Sequence, residues 1–239
     1  MCGDWQKKAM QNILNQKADL ELDGRLRESV SFVSDDDLAS REVLDIGCGY
    51  GWFELNALRR GVSRIVGVEI TAGDLSAARD GVTDPRAEFI TGSGTKLPFA
   101  DDSFDTVVSW EVLEHIPKGT EMEMYHEVRR VLREGGVFYL STPFGSFFSN
   151  VFDPAWWLIG HRHYGKERLT AFAAGSSFVV LDMKIKGRWW NLLGILNMYI
   201  AKWIFRRRPF FNHVFLPREM AEFGRDNGFM NIFVKYRKM

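Results

Sequence analysis

Val43-Leu44-Asp45-Ile46 runs directly into Gly47-Cys48-Gly49-Tyr50-Gly51, and an apolar run closed by three alternating glycines leaves a chain few ways to fold. Val43, Leu44 and Ile46 suit a strand buried on both faces, as in a parallel sheet. The glycines suit a turn whose backbone takes positive φ or lies close against a ligand. A nucleotide-like cofactor held at the end of a strand is the expectation that follows.

Strand and helix patterns then alternate. Helices are predicted over 52–60, 73–80 and 119–133, and strands over 64–69, 87–90, 105–110 and 137–142. Further on come a helix over 166–174 and strands over 178–185 and 229–236. Such alternation implies right-handed crossovers and one doubly wound, mostly parallel α/β sheet of seven strands. Ligands of such sheets bind at the C-terminal strand ends. Spacings of three to five between Trp5, Ala9, Ile13, Ala18 and Leu22 predict an amphipathic helix over 5–22, followed by a short one over 24–33. The expected layout is a single domain with a helical cap (1–40), a cofactor-binding core (41–143), an aromatic lid (144–216) and a final helix and strand (217–239).

The turn itself narrows the cofactor. Trp52 stands where a dinucleotide fingerprint needs its third glycine, which argues against NAD, and no Lys-Ser or Lys-Thr pair opens the next helix to cradle phosphate. Glu69 closes the second predicted strand 20 residues after Gly49, where a carboxylate accepts hydrogen bonds from ribose hydroxyls. Lys plus Arg and Asp plus Glu are 31 each, so no global field favours nucleic acid and no such partner is expected. Cys2 and Cys48 are poor material for a disulfide framework or a zinc site. Residues 1–20 lack the apolar core of a secretory signal, so a cytoplasmic location is expected.

Five ordered segments spanning 43–143 resemble the class I S-adenosylmethionine-dependent methyltransferases. They are the glycine turn, Glu69, the stretch from Thr91 to Asp105, Trp110-Glu-Val-Leu-Glu-His-Ile116, and Arg130-Val-Leu-Arg-Glu-Gly-Gly-Val-Phe-Tyr-Leu-Ser-Thr-Pro143. The resemblance implies a Rossmann-like fold, S-adenosylmethionine as cofactor, and methyl transfer. It implies that Asp45 organises the methionine end, that the Gly47 and Gly49 backbone passes against the cofactor, and that Glu69 holds the ribose. Cys48, Ile70, Gly94 and Trp110 complete the expected cofactor-binding set. Ser93 joins them at a position where the family usually has Asp, so the usual bond to the adenine amino group is replaced by a weaker neutral one.

Methyl transfer to a hydroxyl or ammonium requires removal of a proton, for which histidine is the usual agent. His115 follows the fourth predicted strand, and His163 lies in Gly-His-Arg-His-Tyr after the fifth; these two are the expected bases. The expected site holds no metal. An alternative uses Glu111, Glu114 and His115 with His161 or His163 as ligands, an arrangement similar to that of magnesium-using small-RNA 2′-O-methyltransferases and some ubiquinone-pathway O-methyltransferases. A non-catalytic S-adenosylmethionine-binding module is the other alternative.

Phe144, Phe147, Phe148, Phe152, Trp156 and Trp157 crowd one aromatic segment, and the mostly apolar run 189–205 precedes Arg206-Arg207-Arg208. That run reads as an interfacial anchor, as the wall of an apolar acceptor pocket, or as core or a homodimer face. The expected acceptor is small or lipid-like and is methylated at oxygen. Peripheral membrane contact through 189–208 is the expected departure from a purely cytoplasmic location.

Overall fold

The computed structural model describes residues 17–153, 156 and 160–239. One seven-stranded sheet runs in the order β3-β2-β1-β4-β5-β7-β6. Its strands are β1 (Glu42–Ile46), β2 (Arg64–Glu69), β3 (Ala87–Thr91), β4 (Phe104–Trp110), β5 (Leu132–Pro143), β6 (Phe178–Lys186) and β7 (Asn231–Lys238). All pairings from β3 to β5 are parallel, and β7 runs antiparallel between β5 and β6. Alternate residues of β1 explain the two-sided burial: Leu44 and Ile46 enter one core, and Val43 enters the other.

Helices cover both faces. Tyr125 and Val128 of α4 (Glu121–Val131) and Leu169 of α6 (Lys166–Gly175) pack into the first core. On the second face lie α2 (Trp52–Arg59) and α3 (Ala72–Gly81), through Phe53, Ala57, Leu75 and Ala78, with α1 (Gly24–Phe32) beside them through Leu26 and Val30. After β5 come α5 (Phe147–Phe152), α7 (Trp189–Tyr199) with a π-helical turn (Ile200–Ile204), and α8 (Asn212–Phe223). The expected doubly wound α/β architecture is thus present. β2 and β3 lie on one side of β1 and β4 on the other, so the switch point falls between β1 and β4, where a crevice opens.

Two expectations need correction. Residues 5–16 of the expected first helix lie outside the described residues, and 17–23 are not helical: the Asp19 carboxylate accepts from the Leu20 and Glu21 amides and turns the chain instead. The helix expected over 119–133 is shorter, because β5 begins at Leu132 by pairing with Phe104. The aromatic segment after Pro143 contains α5, closed by a Ser146–Ser149 capping box. Trp157 lies outside the described residues.

Candidate active site

The loops after β1 and β4 wall one side of a cavity of about 1270 Å³, and α1, α7 and α8 roof it. Gly49 and Tyr50 come from the first loop, Trp110, Glu111, Glu114 and His115 from the second. The roof contributes Arg25, Ile195, Met198, Tyr199, Phe215 and Leu216.

The glycine turn needs its glycines. Gly47, Gly49 and Gly51 have φ of +79°, +54° and +83°. A Cβ on Gly47 would lie 2.3 Å from Val112 Cγ2, whereas one on Gly49 would meet nothing within 4 Å, so the backbone there is open to a ligand. Glu69 accepts from the amides of Gly49 (3.1 Å), Ile70 (2.8 Å) and Thr71 (2.8 Å), and so ties the turn to the end of β2. Beneath the turn, Asp45 and Glu54 are buried beside each other, and no other side chain among the described residues hydrogen-bonds to their oxygens. Burial first, and the charges of each other and of Glu69, push both carboxyls well up, which favours a proton held on the pair. Cys48 is buried, and burial with the same carboxylates pushes its thiol up. Trp110 lines the cavity, and its buried indole Nε1 has no partner among the described residues.

The remaining expected cofactor residues lie to one side. Ile70 is 66% exposed at the lip beyond Glu69. Ser93 Oγ lies 3.0 Å from Thr95 Oγ1, and a Cβ on Gly94 would lie 2.8 Å from Ile46 Cγ2, so the segment packs tightly over the end of β1. Asp74, at the start of α3, reaches the cavity; burial and the Glu69 charge push its carboxyl up to about 6.

On the acceptor side, Glu111 has φ of +56°, an uncommon conformation for a residue with a side chain and one that concentrates at functional sites. Its carboxylate takes hydrogen bonds from Ser141 (2.8 Å) and Asn231 (3.0 Å) and an ion pair from Arg25 at 2.6 Å. Glu114 accepts from Thr142 (3.0 Å), and its carboxyl is pushed well up by burial and by Glu111. The positive charge facing both acids is therefore the Arg25 guanidinium. Among the described residues no group of three or more His, Cys, Asp or Glu side chains is placed to hold a metal ion.

His115 and His161 meet edge to face, with centroids 4.5 Å apart, on the cavity wall. His115 is open to the cavity yet surrounded by protein, and burial, His161, Arg162 and Arg25 together push its pKa down. Burial likewise lowers His161, whose Nε2 is buried without a partner among the described residues. Both rings are therefore held neutral, and Asp153 Oδ2 lies 4.0 Å from Nδ1 of His161. His163 differs. Its side chain is 1% exposed, Nδ1 lies 2.7 Å from Asn150 and Nε2 lies 2.9 Å from Asp153, so neither nitrogen is free to face an acceptor. Arg162, between the two histidines, donates to the carbonyls of Leu113 and Ile116 and so fixes the loop that carries His115.

Sequence reasoning missed Arg25, Tyr50, Glu54 and Asp74. It placed His161 with His163 over the cavity and among possible metal ligands, but did not name it as a base.

Comparison with known proteins agrees with this geometry. A family model described as a methyltransferase domain matches residues 43–136. An uncharacterized methyltransferase of Mycobacteroides abscessus is 32% identical over 185 residues, covering 70% of this chain and 68% of that protein. A protein of Mycolicibacterium smegmatis described as a probable S-adenosylmethionine-dependent methyltransferase is 31% identical over 144 residues, 60% of this chain and 54% of that protein. Among solved structures, an S-adenosylmethionine-dependent methyltransferase from Mesorhizobium loti superposes with a TM-score of 0.62 at 19% identity, covering 89% of this chain and 95% of that one. The chain belongs to the class I S-adenosylmethionine-dependent methyltransferases, and S-adenosylmethionine is its cofactor.

Proposed function

We propose that this enzyme methylates a hydroxyl of a small, largely apolar or lipid-like acceptor bound in the roofed cavity. The observation that carries the reading is the make-up of the cavity walls. A glycine turn with open backbone stands on one side, Ile195, Met198, Phe215 and Leu216 form an apolar roof, and two neutral histidines lie on the wall.

The residues present fit the cofactor. Asp45 and Trp110 hold buried polar atoms without partners, and the positive-φ turn leaves room at Gly49. Asp45 would take the cationic methionine end, the Gly47-Cys48-Gly49 backbone would lie against the ligand, and Glu69 would face the ribose while retaining its backbone amides. Ile70, Ser93 and Gly94 would cover the adenine. S-adenosylmethionine supplies, when bound, a methyl group on a sulfonium whose departure needs no further activation.

This chain's own contribution is alignment, exclusion of water and removal of one proton. His115 or His161 takes the hydroxyl proton as the oxygen–carbon bond forms and the carbon–sulfur bond breaks. Both rings are neutral, but the shift, down to about 3 for His115, makes them weak bases that act late, on a hydroxyl already made acidic by the forming oxygen–carbon bond. Arg25, held by Glu111, gives the cavity wall a fixed positive charge. His163 acts as a positioning residue through Asp153 and Asn150.

The test is release of S-adenosylhomocysteine on incubation with S-adenosylmethionine and fractionated lipid extract, for wild type, His115→Ala, His161→Ala and the double variant. A fall of about 10²-fold or more in the double variant, with cofactor affinity unchanged, is expected. Wild-type rates in the double variant would remove the base assignment.

A further inference from the structure

The outer surface of the lid belongs to neither the cavity nor the core. Phe147 is 74% exposed, Ile204 69%, Phe211 67% and Phe205 57%, and exposed large apolar side chains in such density mark an interaction surface. They form a pattern. Trp189, Leu193, Ile200 and Ile204 recur along α7 and its π-turn at spacings of four, seven and four, which is one helical stripe. The opposite side of the same helix, with Asn191, Ile195 and Met198, faces the cavity. Phe148 stands 4.9 Å from Trp189, so α5 continues the stripe.

Charge is sorted around it. Between Asp182 and Glu219 the chain has no acidic residue but eight Lys and Arg, Arg206, Arg207 and Arg208 among them, in a protein whose formal net charge is zero. Arg206, Arg207 and Arg208 are exposed, and the Arg207 guanidinium lies 4.5 Å from the Phe210 ring centroid. A second copy of the chain would bring no carboxylate from this patch to meet those arginines, because a two-fold contact pairs a patch with itself. A bilayer rich in phosphate headgroups supplies both the anions and the apolar interior.

We propose that the outer face of α5, α7 and residues 200–211 docks on an anionic lipid bilayer, apolar side chains entering the interface and Arg206 to Arg208 meeting lipid phosphates. Among the described residues no helix is long and apolar enough to cross a membrane, so the stripe lies in the interface plane. With α7 between bilayer and cavity, an apolar acceptor has a short route inward; that consequence rests on the acceptor reading above, whereas docking does not.

Vesicle flotation of the full chain, without cofactor, separates the two. Wild type is expected to float with phosphatidylcholine–phosphatidylglycerol vesicles, to float poorly with phosphatidylcholine alone, and to lose binding as salt rises. Replacing Arg206, Arg207 and Arg208 together by Gln is expected to weaken binding about a hundredfold. The pair Ile204→Ser and Phe205→Ser is expected to abolish it, with melting temperatures showing that both variants fold. Wild type left unbound by the mixed vesicles, or folded variants that bind as wild type does, would overturn the proposal, as would a dimer that fails to bind vesicles.

Discussion

Asp45 and Glu54 carry opposite consequences for stability and for binding. Burial and mutual repulsion raise both carboxyls above their unfolded values, so the protonated folded form is favoured. Their contribution to stability is therefore full at acid pH and is lost as pH rises through and above the ordinary carboxylate range, about pH 4. Glu54→Gln is expected to raise the melting temperature near about pH 8 and to change it little near pH 4; equal shifts at both pH values would contradict the shared proton. Asp45→Asn is expected to raise the melting temperature and yet weaken S-adenosylmethionine binding at least tenfold, about 1.4 kcal/mol, in a calorimetric titration. A purely structural aspartate would lower both. The sequence announced Asp45 because the glycines beside it mark the turn. It hid Glu54, since an acid in the first turn of a helix ordinarily faces water and the helix dipole. It also hid Arg25, because only the packing of α1 against α8 and α2 brings that side chain to Glu111. His163 looked equivalent to His161 in Gly-His-Arg-His-Tyr; their difference lies in Asp153 and Asn150, 10 and 13 residues away.

The sheet strands and the helices between them were legible because hydrophobic periodicity reports burial directly, and each of β1 to β4 falls within a residue or two of its expected span. Boundaries failed where a tertiary contact overrode local pattern, as when Leu132 pairs with Phe104 and ends α4. The roof was legible only as alternatives, since 189–205 read equally as anchor, pocket wall, or core or homodimer face. Its position depends on Lys186, which ends β6 buried and reaches Asp226 (2.7 Å), the Phe223 carbonyl (2.9 Å) and Glu28 of α1 (3.2 Å). Lys186→Met keeps the length of the side chain and removes the charge. A loss on the order of 3 kcal/mol in urea unfolding is expected, because Glu28 is left partly buried without its partner. A change within about 0.5 kcal/mol would show that α1 and α8 are held by packing alone.

For the whole molecule, composition was least informative where function is most particular. Equal numbers of acids and bases conceal their separation along the chain, and the apolar residues of 189–205 could be assigned to core, pocket or surface only once the two sides of α7 were distinguished. The half of the cavity proposed for cofactor sits at the ends of the central strands, and its motifs follow one another in order along 43–143. The half proposed for acceptor is assembled from α1, the β4 loop, residues 160–163, α7 and α8, and no single stretch contains it. The most direct measurement is transfer of labelled methyl from S-adenosylmethionine into a fractionated lipid extract. Label is expected in an apolar fraction, in a methyl ether linkage, with transfer by the His115→Ala/His161→Ala protein reduced about 10²-fold or more. Label confined to water-soluble acceptors or to nucleic acid, or undiminished in the double variant, would contradict the assignment of this cavity.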